Sequence, residues 1–479
     1  MILKNLNKNK GLALINVIVF GAIAVVVITG LVSWFTITLR GSKYLENKEL
    51  AFHVAEAGIE YYRWHLAHNK NDFEDGTGEG GPYIHDFYDK DGVKIGEFSL
   101  DITPPEIGST LVVIESTGTI EADSDVSRTI RVQLAIPSFA KYAFVADSDM
   151  RFGEGTEVFG PIHTNGGIRF DGLAHNLITS AKEFYDDPDH SGPNEFGVHT
   201  HLSPTDPLPP NSVPVRTDVF QSGREFPIPA VDFAGVLSDL ASIKSKAQDD
   251  GRYFSSSGKL GYHITLKTND TFDLYKVTSV KSSPRNCYDY SNSPGQEGWG
   301  TWSINKESFV GNYGNPSNGL IFIEDDVWVD GQIDGARLTI AVGRFPDSPS
   351  TRKSIVVNKD LLYSNYDGTD TIALIAQDNV NVGLYSEDDL QIDAAIIAQQ
   401  GRVGRHYYNS GCSPYHQRDT ITLNGMIGTK ERYGFAYTDG TGYDTRNINY
   451  DTNLLFSPPP EMPLTSDQYE VISWEEVVK

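Results

Sequence analysis

The sequence predicts a mainly β protein with a long N-terminal α-helix, a small sheet after it, and then an irregular parallel β-helix, or solenoid. Three observations carry this. A charge-free apolar run, Leu12 to Leu39, passes into a stretch with helical periodicity. Alternating apolar and polar residues follow between about residues 96 and 137. Beyond Pro137, a short strand, a polar corner and a second strand recur. The 479 residues leave room for one membrane anchor and one or two globular domains.

The apolar run exceeds the roughly 20 residues needed to cross a bilayer and the about 7–15 apolar residues of a removable signal peptide. Lys4, Lys8 and Lys10 precede it, which keeps the short N-terminus cytoplasmic and the body outside. In KELAFHVAEAGIEYYRWHLAH, the residues Phe52, Ala55, Ile59, Tyr62 and Leu66 recur at three- and four-residue steps, marking one helical face. Glu46, Glu49, Glu56 and Glu60 fall largely off it. One helix is therefore expected from Leu12 to His68, with Gly41 as a place for a bend.

Residues 69–93 open with NKNDFEDGTGEGG and are expected as a loop. EFSLDITPP, LVVIESTGTI and SRTIRVQLAIP read as half-buried strands of a small antiparallel sheet packed on the helix. The expected boundaries are a basic leader at 1–11, the helix at 12–68 and the small β region at 69–137. A β-helix-like domain follows at 138–479, with an insertion at about 173–318.

The repeats of that domain begin at Ile162 (IHTNGGIRF), Ile321 (IFIEDDVWV), Leu374 (LIAQDNVNV) and Ile396 (IIAQQGRV). Each sets an apolar strand against a corner of Asn, Gln, Asp, Glu or Gly. Recurrence of such a unit is a solenoid signature, most simply a right-handed parallel β-helix. Stacked corner amides would satisfy one another in ladders. Within the insertion, Phe233, Val236, Leu237, Leu240 and Ile243 outline an amphipathic helix capped by Asp232. HITLKTNDTFDLYKV reads as a β-hairpin. HLSPTDPLPPNSVPVR is too proline-rich for regular structure, and the proline-kinked tail is expected to fold back as a cap with Trp474 packed.

The leader, apolar helix and AEAG segment together resemble a known family. A basic leader ending in Gly, with GLALIN at the junction, looks like the class III signal peptide of type IV pilins. ELAFHVAEAGIEYYRW resembles the N-terminal region of PilX-type minor pilins. The resemblance covers about the first 70 residues and weakens thereafter. It implies cleavage between Gly11 and Leu12 by a prepilin peptidase, and a helix that packs with other pilins. It also implies dependence on inner-membrane pilus assembly machinery, with the body extracytoplasmic on a single helix in the lipid bilayer and at the cell surface or pilus after assembly. At the fifth mature position the family usually has Glu; here it is Asn16, an uncharged assembly position suited to a filament tip. The expected role is a non-catalytic, tip-located minor pilin or pilus-assembly protein with adhesive capacity. The alternative is a membrane-anchored surface β-helix protein that binds or acts on polysaccharide.

The net charge of -25 argues against a nucleic-acid partner. Cys287 and Cys412 lack zinc-site spacing; a disulfide between them and two separate thiols are both open. There is no P-loop, GxSxG or HExxH, and no catalytic residue, cofactor or metal is expected. Of His163, His175, His190, His199 and His201, the HTH pair at 199 and 201 would share a strand face and could ligate a metal, but a solvated loop is the plainer reading. The acidic stretch around Asp186, Asp187 and Asp189 could hold calcium through oxygen ligands but lacks EF-hand spacing, and a surface loop is the plainer reading; the stretch around Asp439, Asp444 and Asp451 is likewise read as exposed turns. The polysaccharide alternative would draw on Asp393, Arg402, Arg405 and His406, with Tyr407 and Tyr408 for stacking, although they form no specific constellation.

Overall fold

The computed structural model describes residues 9–233, 240–287 and 300–477, with side chains of the first helix described from Leu14. The chain divides into two compact units, residues 1–104 with 112–134 and 471–479, and residues 105–111 with 135–470.

In the first unit, helix α1 spans Asn9–His68 without a break at Gly41. At 1.5 Å per residue it is about 90 Å long. Its first half is exposed on all sides, including Ile18, Phe20, Val26, Trp34 and Ile37, and the helix is long and apolar enough to cross a membrane. Its second half lies on an antiparallel sheet of β1 (Tyr83–Tyr88), β2 (Lys94–Thr103), β3 (Val112–Ile120) and β4 (Asp123–Ala135). Strand β1 corrects the expectation of a loop through residue 93. As an edge strand it buries only Tyr83 fully, so its alternation is faint in the sequence. The strand Glu470–Val477 closes the other edge, against β4. The tail thus ends in a strand, where Trp474 remains 47% exposed, edge-on to Phe52, while Leu454 and Met462 before it cover apolar surface as expected.

The helix packs through most of the expected stripe: Ala55, Ile59, Tyr62 and Leu66 are buried, with Ala51, Val54 and Gly58 beside them, whereas Phe52 is only half-buried. The reason lies in β3, which turns Ser116 and Gly118 toward the helix. A Cβ added at Gly118 would collide with the backbone of Ala51 and Ala55. Small residues on both partners bring the helix backbone flush to the strand, as close-packed interiors favour. The AEAG segment, Ala55 to Gly58, has its physical account here.

The second unit is a three-sided stack of parallel strands. On one side the order is Arg252–Phe254, Leu320–Ile323, Arg337–Val342, Thr371–Ala376, the ends of Asp389–Ala398 and Gln417–Thr429, then Phe144–Ala146, Ile162–Thr164, Ile178–Ser180 and Arg224–Glu225. The stacking order is not the chain order. The chain enters mid-stack at Phe144–Ala146 and builds coils to one end. It then crosses through the segment containing the helix Leu240–Asp249 and winds back from the other end until Ile427 meets Phe144. The insertion is correspondingly shorter than expected. Leu173–Ala174, Ile178–Ser180 and Arg224–Glu225 belong to coils, but strands of two or three residues carry no readable period.

This first side is buried on both faces, which explains runs such as LIFI and IALIA. Ile321, Ile340, Leu374 and Ile396 point into the central core. Phe322, Ala341, Ile375 and Ile397 point outward, onto Phe233, Leu240, Ile243 and Ala247 of the crossing segment and Leu454 and Met462 of the tail. Val236, Leu237 and the start of that helix lie outside the described residues. The hairpin Gly261–Lys267 and Thr271–Val280 is antiparallel within itself, and its first strand also pairs in parallel with Val327–Ile333, joining it to the stack.

Corner polars accept from the next coil. Asn379 Oδ1 accepts from Arg402 N at 2.9 Å, and Asn358 Oδ1 from Gly383 N at 2.6 Å. A separate ladder climbs a second side: Asn449 Nδ2 donates to Asn424 Oδ1 at 2.8 Å, and Asn424 Nδ2 to Asp393 Oδ1 at 2.7 Å.

Candidate functional site

Two regions bear on function, the N-terminal helix and a polar cluster in the terminal coil of the stack. Gly11 and Leu12 lie in the first turns of α1, and Asn16 sits exposed on it one turn further on. Exposed apolar side chains surround Asn16, among them Leu14, Ile15, Val17 and Phe20. A carboxamide there offers hydrogen bonds without charge.

The residues of the polysaccharide alternative are occupied structurally. Asp393 is fully buried. Its carboxylate accepts from Tyr363 N at 3.0 Å, Tyr366 Oη at 2.7 Å, Gln391 Nε2 at 2.9 Å and Asn424 Nδ2 at 2.7 Å. Arg405 is also fully buried, donating to the carbonyls of Gly383, Leu384 and Tyr415 and to Ser386 Oγ. Its guanidinium lies over the rings of Tyr408 and Tyr443. Arg402 donates to the carbonyls of Arg405 and Gly434. Burial, with the charges of Arg402 and Arg405, pushes His406 down to about 3, so it stays neutral. Tyr408 is buried and donates to Gly300 O at 2.9 Å, and Tyr407 donates to Asp439 Oδ2 at 2.6 Å.

Cys287 and Cys412 are joined in a disulfide bond, packed with Leu384 and Tyr408. Asp439 and Asp444 are exposed as expected, but the stretch around Asp444 is the strand Gly442–Tyr450, with Tyr443 fully buried.

The five histidines separate into two groups. His163 is buried, bonded to Thr179 Oγ1 at 3.0 Å and Asn165 Oδ1 at 3.2 Å. His175 pairs with Glu157 at 2.6 Å and stacks on Phe159. His190, His199 and His201 instead converge with Asp187 and Glu195. The expected solvated loop is corrected here: His199 is 0% exposed and Asp187 4%. The antiparallel pair Phe184–Tyr185 and Glu195–Phe196 folds the acidic segment against the strand Val198–His199, which removes both from solvent. Glu195 went unremarked in the sequence, since its partners become visible only once that pair forms.

The described residues thus define a mainly β protein with one long, partly apolar N-terminal helix and a parallel solenoid for its body. No family model and no curated protein sequence matches the chain. Among solved structures, the competence-associated pilin ComZ from Thermus thermophilus aligns over 90% of this chain and 98% of its own, at 13% identity and a TM-score of 0.29. A superposition that loose carries no argument about function.

Proposed function

We propose that this chain is a minor pilin or pilus-assembly subunit of a type IV pilus-like system, held by one N-terminal helix and positioned at a filament tip. The observation that supports it most is α1 itself. Its apolar half is exposed on every side, and its amphipathic half is seated on a small sheet through the AEAG residues. That division suits a helix which lies first in lipid and then among other apolar helices. The body is extracytoplasmic, and prepilin peptidase and the inner-membrane assembly machinery act on the leader and helix.

Asn16 supports the tip position. A mid-shaft subunit needs a carboxylate near the N-terminal amine of its neighbour, because an unpaired ion in a low-dielectric bundle costs several kcal/mol. Asn16 supplies none, so this chain can follow no earlier subunit. The role is non-catalytic: Asp393 and Arg405 are engaged in holding coils together.

Intact-mass measurement on protein from native cells tests the processing step. A mature chain starting at Leu12 is expected, and Gly11→Leu should block cleavage. A mass retaining residues 1–11 would leave only a membrane-anchored surface protein. Labels on the body should appear sparsely at filament ends; labels spaced along the shaft would remove the tip assignment.

A further inference from the structure

The terminal coil of the solenoid holds a set of side chains whose mutual distances fit a coordination shell better than a hydrogen-bond network. His199 Nε2 lies 3.6 Å from Asp187 Oδ2, His201 Nε2 3.6 Å from Glu195 Oε1, and His190 Nδ1 3.5 Å from the same oxygen. These separations exceed the ~3.2 Å limit of a good N–H···O bond. They match the roughly 3.3 Å edge of a tetrahedron with metal–ligand bonds of about 2.0–2.1 Å. The potential ligand atoms of Asp187, His199 and His201 all lie within 4.8 Å of one another, as do those of His190, Glu195 and His201.

Burial points the same way. Among the described residues, both ring nitrogens of fully buried His199 lack a hydrogen-bond partner, as does Asp187 Oδ2 beside them. An unsatisfied buried polar atom destabilises a fold, and three are gathered at one point. A cation bound between the imidazole and the carboxylate would satisfy the facing nitrogen and oxygen together. Arg169 opposes a cation, with Nη1 3.7 Å from Asp187 Oδ2, but its Nε is already paired to Asp171 at 2.7 Å. Asp171 thus engages the guanidinium, while Asp187 and Glu195 lie beside the histidines.

We propose that Asp187, His199 and His201 bind a divalent transition-metal ion of the Zn2+ class, with Glu195 and His190 on the open side of its shell. Imidazole ligands select such a metal over Ca2+, which takes oxygens. The ion joins the strand Val198–His199, the last of its three-stranded sheet, to the acidic segment folded over it. It serves as a staple at a solenoid terminus, where a stack lacks a further neighbour.

The test uses the full chain in detergent, stripped with a chelator and titrated with Zn2+ against a chromophoric competitor. Co2+ gives a second readout through the absorption of a low-symmetry site. The folded wild type should take up a single Zn2+. Asp187→Asn and His201→Gln, near-isosteric changes, should weaken binding by about tenfold or more with an unchanged circular dichroism spectrum. His199→Ala is a poorer choice, since its void alone could unfold the coil. A stripped, folded wild type that takes up no Zn2+ would overturn the proposal. So would variants that bind as tightly as wild type, which would mean an adventitious ion only, or binding of Ca2+ in preference to Zn2+.

Discussion

Gly58 of α1 faces Ser116 of β3 so closely that a methyl group on Gly58 would collide with the serine hydroxyl and come within 2.9 Å of the Phe98 ring. Gly58→Val should therefore part helix from sheet. Overpacking costs about 1–3 kcal/mol, read as a lower thermal midpoint and faster proteolysis between residues 69 and 134. Gly41→Ala is the contrast: nothing lies within 4 Å of a Cβ there. It should be neutral or stabilising by up to about 1 kcal/mol.

The Cys287–Cys412 bridge closes a loop of 125 residues. Its removal by Cys287→Ser with Cys412→Ser should cost about 2–5 kcal/mol, measured by denaturant unfolding. Alkylation of the native protein should label no cysteine until a reductant is added.

Asp393→Ala should destabilise the stack by about 3 kcal/mol or more, since it leaves Tyr363 N and Asn424 Nδ2 buried without acceptors. Asp393→Asn should cost less, retaining an acceptor oxygen. Neither variant should change any polysaccharide turnover relative to wild type, measured as released reducing ends.

His263 gives a pH dependence. Burial works against its charge, but the hydrogen bond and charge of Asp330, with the charge of Glu307, outweigh it and raise the pKa. Its Nδ1 is 2.7 Å from Glu307 and its Nε2 2.9 Å from Asp330, to which Lys359 also lies close at 3.7 Å. A raised pKa means the charged form stabilises the fold fully below the unfolded value of about 6.5. That stability is lost as pH rises through the higher folded value. Wild type should therefore exceed His263→Gln in thermal midpoint most clearly near pH 5–6, and the gap should narrow in alkali. A gap that widens with pH would refute this assignment.

Local pattern carried most of what could be read in advance. The helix, β2 to β4, the hairpin and the solenoid units each announce themselves within about a dozen residues, through period or turn chemistry. What escaped depends on contacts distant in sequence. Phe52 belongs to the apolar period but is only half-buried, because β3 meets the helix most closely at Ala51, Ala55 and Gly58, opposite Ser116 and Gly118. The edge strands Tyr83–Tyr88 and Glu470–Val477 bury one side lightly, so alternation barely marks them. His199 and His201 stood out as a pair, but the burial of His199 and the approach of Asp187 and Glu195 follow from a strand pairing that no spacing encodes.

The mid-stack entry means that synthesis and stacking run in different orders. Lys430 pairs with Asp147 across 283 positions of sequence. Until the last coil emerges, the strand Phe144–Ala146 presents an unpaired edge, a template for wrong partners. A premature stop in the final third would have an unusual effect too: it would excise a middle layer and leave two unjoined halves, where in an ordinary solenoid it would merely shorten one end.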